Sequence, residues 1–328
     1  MAVPVKALVT GAHGFVGSHL VAGLLAAGHR VRALVSPWGT VDRLSDTLAD
    51  IEVARADITA PEDLPAAFEG IDVVFHAAAK VAEWGPGAAF HRANVLGTEN
   101  VLRAAERAGA RRLVLVSSVA VHRYRGFRDA DPREAPLDGD LTAYARSKAA
   151  AERLVDAARG LEGVIVRPGV WPFGPRDPQL PRVLAALRGR TFPLVDGGRR
   201  VLNTAYVENL VAGLVLAGTV PAAAGRTYLI ADDGMPTWRE ALGVLAALTG
   251  ASPRWLDLPG PLAAAAGAVV ESTWAWAAPG RRPPIGRYAA SLMRRDLHFS
   301  TRHARDELGY EPRVDWREGL RRTVAAGG

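Results

Sequence analysis

Cysteine is absent from the 328 residues. That one absence excludes disulfides, thiolate-held metals, iron–sulfur clusters and cysteine nucleophiles, and no metal site is expected. It also leaves redox logic with nothing to say about compartment. Lysine is nearly absent too, because 37 of the 40 basic residues are arginine and only Lys6, Lys80 and Lys148 remain. Each of these lysines therefore asks for a chemical reason. Long polar or low-complexity runs are missing, which excludes extensive disorder. No internal repeat has a fixed period, which excludes a solenoid. Near the N-terminus Lys6 precedes apolar residues, but Gly11, Gly14 and Gly17 interrupt the run and helical periodicity follows. A cytoplasmic protein without a cleaved leader is the expectation.

The net charge is +6, which raises the question of nucleic acid. The arginines are scattered singly and in pairs (Arg111-Arg112, Arg199-Arg200, Arg281-Arg282) with no stripe of interleaved aromatics, so no nucleic-acid partner is expected. Residues 261–278 are alanine-rich and carry Trp274 and Trp276. They fall short of the roughly 20 apolar residues a span needs, and Glu271 interrupts them. No transmembrane span is expected, and peripheral membrane contact stays open.

What is present is an alternation. Apolar, β-branched runs at Val5–Thr10, Val31–Val35, Ile51–Ala54, Val73–His76, Leu113–Ser117 and Val164–Val166 are separated by helical stretches at Phe15–Ala27, around Phe68, and at Val95–Ala108 and Tyr144–Ala158. Such βαβ spacing predicts an α/β fold, a doubly wound parallel sheet of Rossmann type. After Pro168 the texture turns to loops rich in Gly, Pro and Arg. Helical stretches there fall at Val207–Leu216, Trp238–Thr249, Pro261–Ala277 and Thr301–Leu308. The expected organisation is a domain over 1–168 and a smaller, mainly substrate-binding lobe over 169–328, some of which returns to the first.

Between the first strand and the first helix lies Thr10-Gly11-Ala12-His13-Gly14-Phe15-Val16-Gly17. A dinucleotide pyrophosphate needs a tight turn, close backbone approach and a helix N-terminus with free N–H groups, and glycines in this position supply the first two. The Gly-x-x-Gly-x-x-Gly spacing resembles the short-chain dehydrogenases. Further segments agree in order: Asp57-Ile58, His76-Ala77-Ala78-Ala79-Lys80 and Asn94-Val95-Leu96-Gly97-Thr98. The chain as a whole resembles the extended short-chain dehydrogenase/reductase family, within the NAD-dependent epimerase/dehydratase superfamily. Its later segments are similar to the 3β-hydroxysteroid dehydrogenase-like branch: Trp84-Gly85, Ala205-Tyr206-Val207-Glu208-Asn209-Leu210, Pro283-Pro284-Ile285, Phe299-Ser300 and Leu308-Gly309-Tyr310.

The resemblance makes Gly11, Gly14, Phe15, Val16 and Gly17 the expected pyrophosphate cradle and Asp57 and Ile58 the adenine contact. Ala77, Ala78, Ala79, Lys80 and Asn94 are expected beneath the cofactor. NAD or NADP is implied. Selection between them falls near Ser36, where an acid would bind ribose hydroxyls. With serine there and Arg43 following, the reading leans to NADP.

Tyr144-Ala145-Arg146-Ser147-Lys148 places tyrosine and lysine on one helix face. Six tyrosines and three lysines in 328 residues give only about 0.05 chance pairs at this spacing. In the family the phenol exchanges a proton with the alcohol or ketone oxygen. The lysine is expected to lower the phenol pKa and to hold the cofactor ribose. At the end of the fifth strand, Ser118 matches the serine that hydrogen-bonds the reacting oxygen, with Ser117 nearer the nicotinamide. Pro168 and Val170 are expected in the loop that carries the nicotinamide and opens the substrate site. Trp171-Pro172 looks one residue longer than the family pattern, so the substrate rim is expected to differ.

The implied activity is NAD(P)-dependent interconversion of a secondary alcohol and a ketone on an apolar substrate, of the 3β-hydroxysteroid or 2-alkyl-3-oxoalkanoate type. The family resemblance also implies a homodimer. Two alternatives stand beside this: a sugar-nucleotide epimerase or dehydratase, with Arg182 and Arg188 available for a diphosphate, and a non-catalytic dinucleotide-binding protein.

Overall fold

The computed structural model describes residues 3–277 and 287–327. Arg281-Arg282 and Pro283-Pro284-Ile285 lie outside the described residues. Seven parallel strands form the central sheet: Lys6–Thr10, Arg30–Val35, Glu52–Arg55, Val73–His76, Arg112–Val116, Glu162–Pro168 and Thr227–Ile230. Across the sheet they run 227–230, 162–168, 112–116, 73–76, 6–10, 30–35, 52–55. The order reverses between the first strand and Val73–His76. In a doubly wound sheet the crevice for a dinucleotide opens at the carboxyl ends of those two strands.

The strands read as near-continuous apolar runs because both faces are covered. Alternate residues go to opposite layers. Val9, Phe75, Val114 and Val166 pack in one core, and Leu8, Val74, Leu113 and Ile165 in the other. The first core continues into the lobe beyond residue 168 through Leu184, Leu194, Leu242 and Trp316. Thr227–Ile230, which the sequence pattern did not predict, pairs with Glu162–Pro168. A linear boundary at 168 therefore cuts through the sheet.

Part of the basic excess is structural. Arg112, wholly buried, ties Glu162 at 2.6 Å to the chain around Ala217 and Val220. In the helix Gly260–Ala277, Leu262 and Val269 are exposed while Ala263 packs inward. Among the described residues no helix is long and apolar enough to cross a membrane.

Candidate active site

The glycine loop turns as its spacing predicts. Gly11 has φ +66°, a left-handed conformation that favours glycine, and an added Cβ there would meet the Ala78 backbone at 2.7 Å. Gly14 is the N-cap of the helix Phe15–Ala26, which leaves the first-turn N–H groups free toward the crevice. A Cβ on Gly17 would lie 2.2 Å from the Gly11 carbonyl oxygen, so the turn closes on its own helix only with glycine here. Phe15 packs edge-on against His19, and Val16 joins the core.

At the second strand's end, buried atoms lack protein partners: Ser36 Oγ and His13 Nδ1. Orphaned polar atoms beside this loop are what an incoming ribose would satisfy. Burial, then Arg43, then Arg55 lower the His13 pKa. Arg55 Nη1 also donates to the carbonyls of Ser36, Pro37 and Gly39, at 3.3, 3.4 and 3.0 Å. These features fit a dinucleotide in the crevice.

Beneath the loop runs a hydrogen-bond chain that pattern reading missed. Thr98 Oγ1 donates to the Asn94 carbonyl at 2.7 Å, so it accepts from His76 Nε2 at 3.0 Å. His76 Nδ1 is then free to accept from Thr10 Oγ1 at 2.8 Å, and Thr10 in turn accepts from Ala78 N. Burial, with Lys148 adding to it, pushes the His76 pKa down to about 3, so the ring is neutral and its tautomer is set by its partners. Asn94 lies in a single π-helical stretch, His91–Leu96, a distortion common at functional sites. Its amide holds both Lys80 N and Lys80 O and donates to Ser147 Oγ at 2.9 Å. It thereby links the Ala77-Ala78-Ala79 loop to the helix carrying Lys148.

Three residues expected at the cofactor, Asp57, Ile58 and Lys80, have protein partners for their side chains. The Asp57 carboxylate closes a local turn on Thr59 N and Oγ1, while Ile58 packs beside Gly97. Lys80 is exposed with its ammonium over the Phe90 ring at 5.5 Å, so the Lys80 side chain does not turn toward the loop.

Ser118 and Tyr144 come together, and Lys148 lies one turn further along the helix that carries Tyr144. Ser118 Oγ accepts from Ala120 N at 3.1 Å and lies close enough to the Tyr144 phenol to lower its pKa. Thr142 caps the helix Ala143–Ala157 by accepting from Ala145 N, which starts the helix one residue before Tyr144. Lys148 is buried, with Nζ 2.6 Å from the Val116 carbonyl. Burial brings its pKa down to about 8, against an opposing effect from Glu152. The expectation that lysine lowers the phenol is not met in this arrangement. Burial chiefly, then Tyr288, raise the Tyr144 pKa, and Ser118 opposes them. The Tyr144 ring is enclosed by protein, yet its edge reaches the cavity.

The Ser117 hydroxyl donates to Glu152 Oε1 at 2.5 Å. Arg167 holds the same carboxylate with two bonds, at 2.9 and 2.6 Å. Glu152 follows Lys148 by four residues on the same helix face. That spacing was legible in the sequence.

A cavity of about 570 Å³ opens in front of Tyr144. Val81, Trp84, Val170, Trp171, Phe192 and Trp238 make much of its wall, and Glu83, Gln179, Arg182 and Tyr288 are among its polar groups. Pro168 ends its strand just before Val170. Trp171-Pro172 opens a short strand, Trp171–Phe173, paired with Thr204–Tyr206, and the Trp171 ring stacks with Trp238 at 6.1 Å. A second hollow of similar size, lined by Pro61, Asn100 and Arg103, contains none of the catalytic candidates.

Residues 7–231 match the NAD dependent epimerase/dehydratase family. The chain is 35% identical to a 4-hydroxy-2-methyl-3-oxo-4-farnesyl-3,4-dihydroquinoline-1-oxide ketoreductase of Stigmatella aurantiaca, over 96% of this chain and 94% of that one. It is 34% identical to a 2-alkyl-3-oxoalkanoate reductase of Stenotrophomonas maltophilia (strain K279a), over 98% and 99%. A crystal structure titled gox2253 superposes with a TM-score of 0.79 at 28% identity, covering 98% of this chain and 97% of that one. With its glycine loop, its parallel sheet and these relatives, the chain belongs to the NAD-dependent epimerase/dehydratase family of extended short-chain dehydrogenases and reductases, and is a dehydrogenase/reductase enzyme.

Proposed function

We infer that the protein interconverts a secondary alcohol and a ketone on a predominantly apolar substrate of the 3β-hydroxysteroid or 2-alkyl-3-oxoalkanoate kind. The observation that carries this is the joining of Tyr144 to a cavity walled by Trp171, Trp238 and Phe192. Bound NAD(P) supplies the hydride acceptor or donor. In reduction Tyr144 Oη gives its proton to the ketone oxygen, and in oxidation the phenolate takes the proton from the alcohol oxygen, while Ser118 holds that oxygen. Lys148 holds the ribose hydroxyls, and Ser118, which opposes the rise in the Tyr144 pKa, stabilises the phenolate once formed. Asn94 and Glu152 act as positioning residues for the helix that carries Tyr144 and Lys148.

NADP is the favoured dinucleotide. Arg43 and Arg55 lie close enough to His13 to act on its charge, and Ser36 stands where an acid would repel a 2′-phosphate. A sugar-nucleotide substrate has less support, because Arg182 lines the cavity and Arg188 does not. The test is a cofactor-fluorescence turnover screen of hydroxysteroids, 3-oxo acids and nucleotide sugars with NAD(H) and NADP(H). Turnover confined to nucleotide sugars would overturn this assignment.

A further inference from the structure

Tyr288 stands in the cavity wall with Tyr144 but comes from the helix Arg287–Arg294, half the chain away. Behind it lies Tyr124, whose hydroxyl donates to the Tyr288 oxygen at 3.3 Å. Their rings are 6.2 Å apart, tilted by 51°. Tyr124 is not in the cavity wall, so the pair is a supporting phenol and a presented one. Because Tyr124 spends its proton on the Tyr288 oxygen, the Tyr288 proton must go elsewhere. Among the described residues no acceptor takes it. A buried hydroxyl of this kind ordinarily finds a partner, and the cavity is where one can enter.

We propose that Tyr288 is a second substrate-binding phenol, which donates to the carboxyl oxygen of a 3-oxo or 3-hydroxy acid while Ser118 and Tyr144 hold the reacting oxygen. The proposal rests on the alcohol/ketone assignment above and narrows its substrate class. Glu83 lies in the same wall with a partner of its own, whereas Arg182 is exposed and without an ion-pair partner among the described residues and supplies the positive charge an acid end requires. Burial, with the Glu83 carboxylate adding to it, keeps the Tyr288 phenol protonated, and Tyr124 opposes only in part. The group therefore acts as a donor at neutral pH. Trp171, Trp238 and Phe192 remain for the apolar chain.

The test compares oxidation of a 2-alkyl-3-hydroxyalkanoate with oxidation of the secondary alcohol of the same skeleton lacking the carboxylate. Tyr288→Phe keeps the ring and removes the hydroxyl. It should raise KM for the hydroxy acid about tenfold, with kcat nearly unchanged, because one hydrogen bond to a charged oxygen is lost. The plain alcohol should be indifferent to it. Tyr124→Phe should raise KM for the acid alone, by a smaller factor of about two to three, since it only frees the Tyr288 proton to swing. Equal losses on both compounds, or a change in kcat without KM, would overturn the proposal and leave Tyr288 as packing for Tyr144. Equilibrium binding of the two compounds to the dinucleotide-loaded protein makes the same comparison without turnover. A protein that oxidises neither compound yet shows the binding difference refutes the alcohol/ketone assignment and upholds the role of Tyr288.

Discussion

Lys148 carries a pH signature that its burial makes measurable. Its pKa is brought down to about 8, chiefly by burial. An ammonium with that value is about nine-tenths charged at pH 7 and about one-tenth charged at pH 9. If the charged form holds the ribose, binding raises the pKa, and the complex takes up protons as it forms. The sign follows: dinucleotide affinity is full below pH 8 and falls as pH rises above it, by up to about tenfold per unit. The fall ends at the pKa of the complex. Were binding to restore the ordinary value of 10.5, the total would be about 2.5 units, roughly 300-fold or about 3 kcal/mol. Calorimetric titration of dinucleotide from pH 6 to 10 measures this directly. Lys148→Met should bind weakly and without a slope above pH 7. Lys148→Arg stays charged and should also lose the slope, with an affinity set by its different geometry. Nearby His76 titrates near 3 and Asp177 near 6, both outside the window. A wild-type affinity that is flat from pH 7 to 10, or a slope that survives in Lys148→Met, would refute the role given to this lysine.

Other changes separate chemistry from binding. Tyr144→Phe should bind dinucleotide almost normally and lose about 10²–10⁴-fold in turnover, the usual worth of general acid–base catalysis; near-wild-type turnover on a verified substrate would remove the acid–base role. Gly14→Val should stay folded, to within about 1 kcal/mol by denaturant titration, because an added Cβ meets only the Gly11 oxygen at 3.1 Å. Its dinucleotide affinity should drop, and unchanged calorimetry would sink the assigned cradle. Gly17→Ala is different, since a Cβ 2.2 Å from that oxygen forces backbone movement, and about 1–3 kcal/mol or more of stability should go with it. Ser36→Asp should move the ratio of kcat/KM values toward NAD by repelling a 2′-phosphate. An unmoved ratio would place the selector elsewhere, with Arg43 and Arg55 the next to vary.

The parts legible in the sequence are those governed by local chemistry. Six strands of the sheet could be read because strands buried on both faces must be apolar throughout. The glycine loop could be read because its backbone geometry excludes other residues. Tyr144 and Lys148 were conspicuous because lysine is so scarce. The less legible parts are built by juxtaposition. Thr227–Ile230 is four residues long and has no flanking pattern that separates it from a loop, yet it completes the sheet edge. Tyr288 lies 144 residues from its neighbour in the cavity, and nothing in its local sequence marks it. The roles of Thr10, His76 and Thr98 emerge only from who donates to whom. For Asp57 and Lys80 the motif gives a position at the cofactor, and only the structure gives the side-chain partners, Thr59 and Phe90.

Glu152 shows why the catalytic residues keep their spacing. It is wholly buried and paired with Arg167 at 2.6 Å, an arrangement that on desolvation grounds often stabilises no better than well-packed apolar side chains would. What the pair does supply is direction. Glu152 projects from the helix that carries Tyr144 and Lys148. Its carboxylate takes the Ser117 hydroxyl from the end of one strand and the Arg167 guanidinium from the end of the next. Arg167 reaches on to the Pro132 carbonyl and toward His122 Nε2, whose pKa burial and Arg167 bring down to about 4, so the ring stays neutral. The helix is thus fixed in register against the two strand ends that lead into Ser118 and Pro168. A proton transfer among Ser118, Tyr144 and a substrate oxygen tolerates little displacement, and an apolar contact, free to slide, would not hold that register.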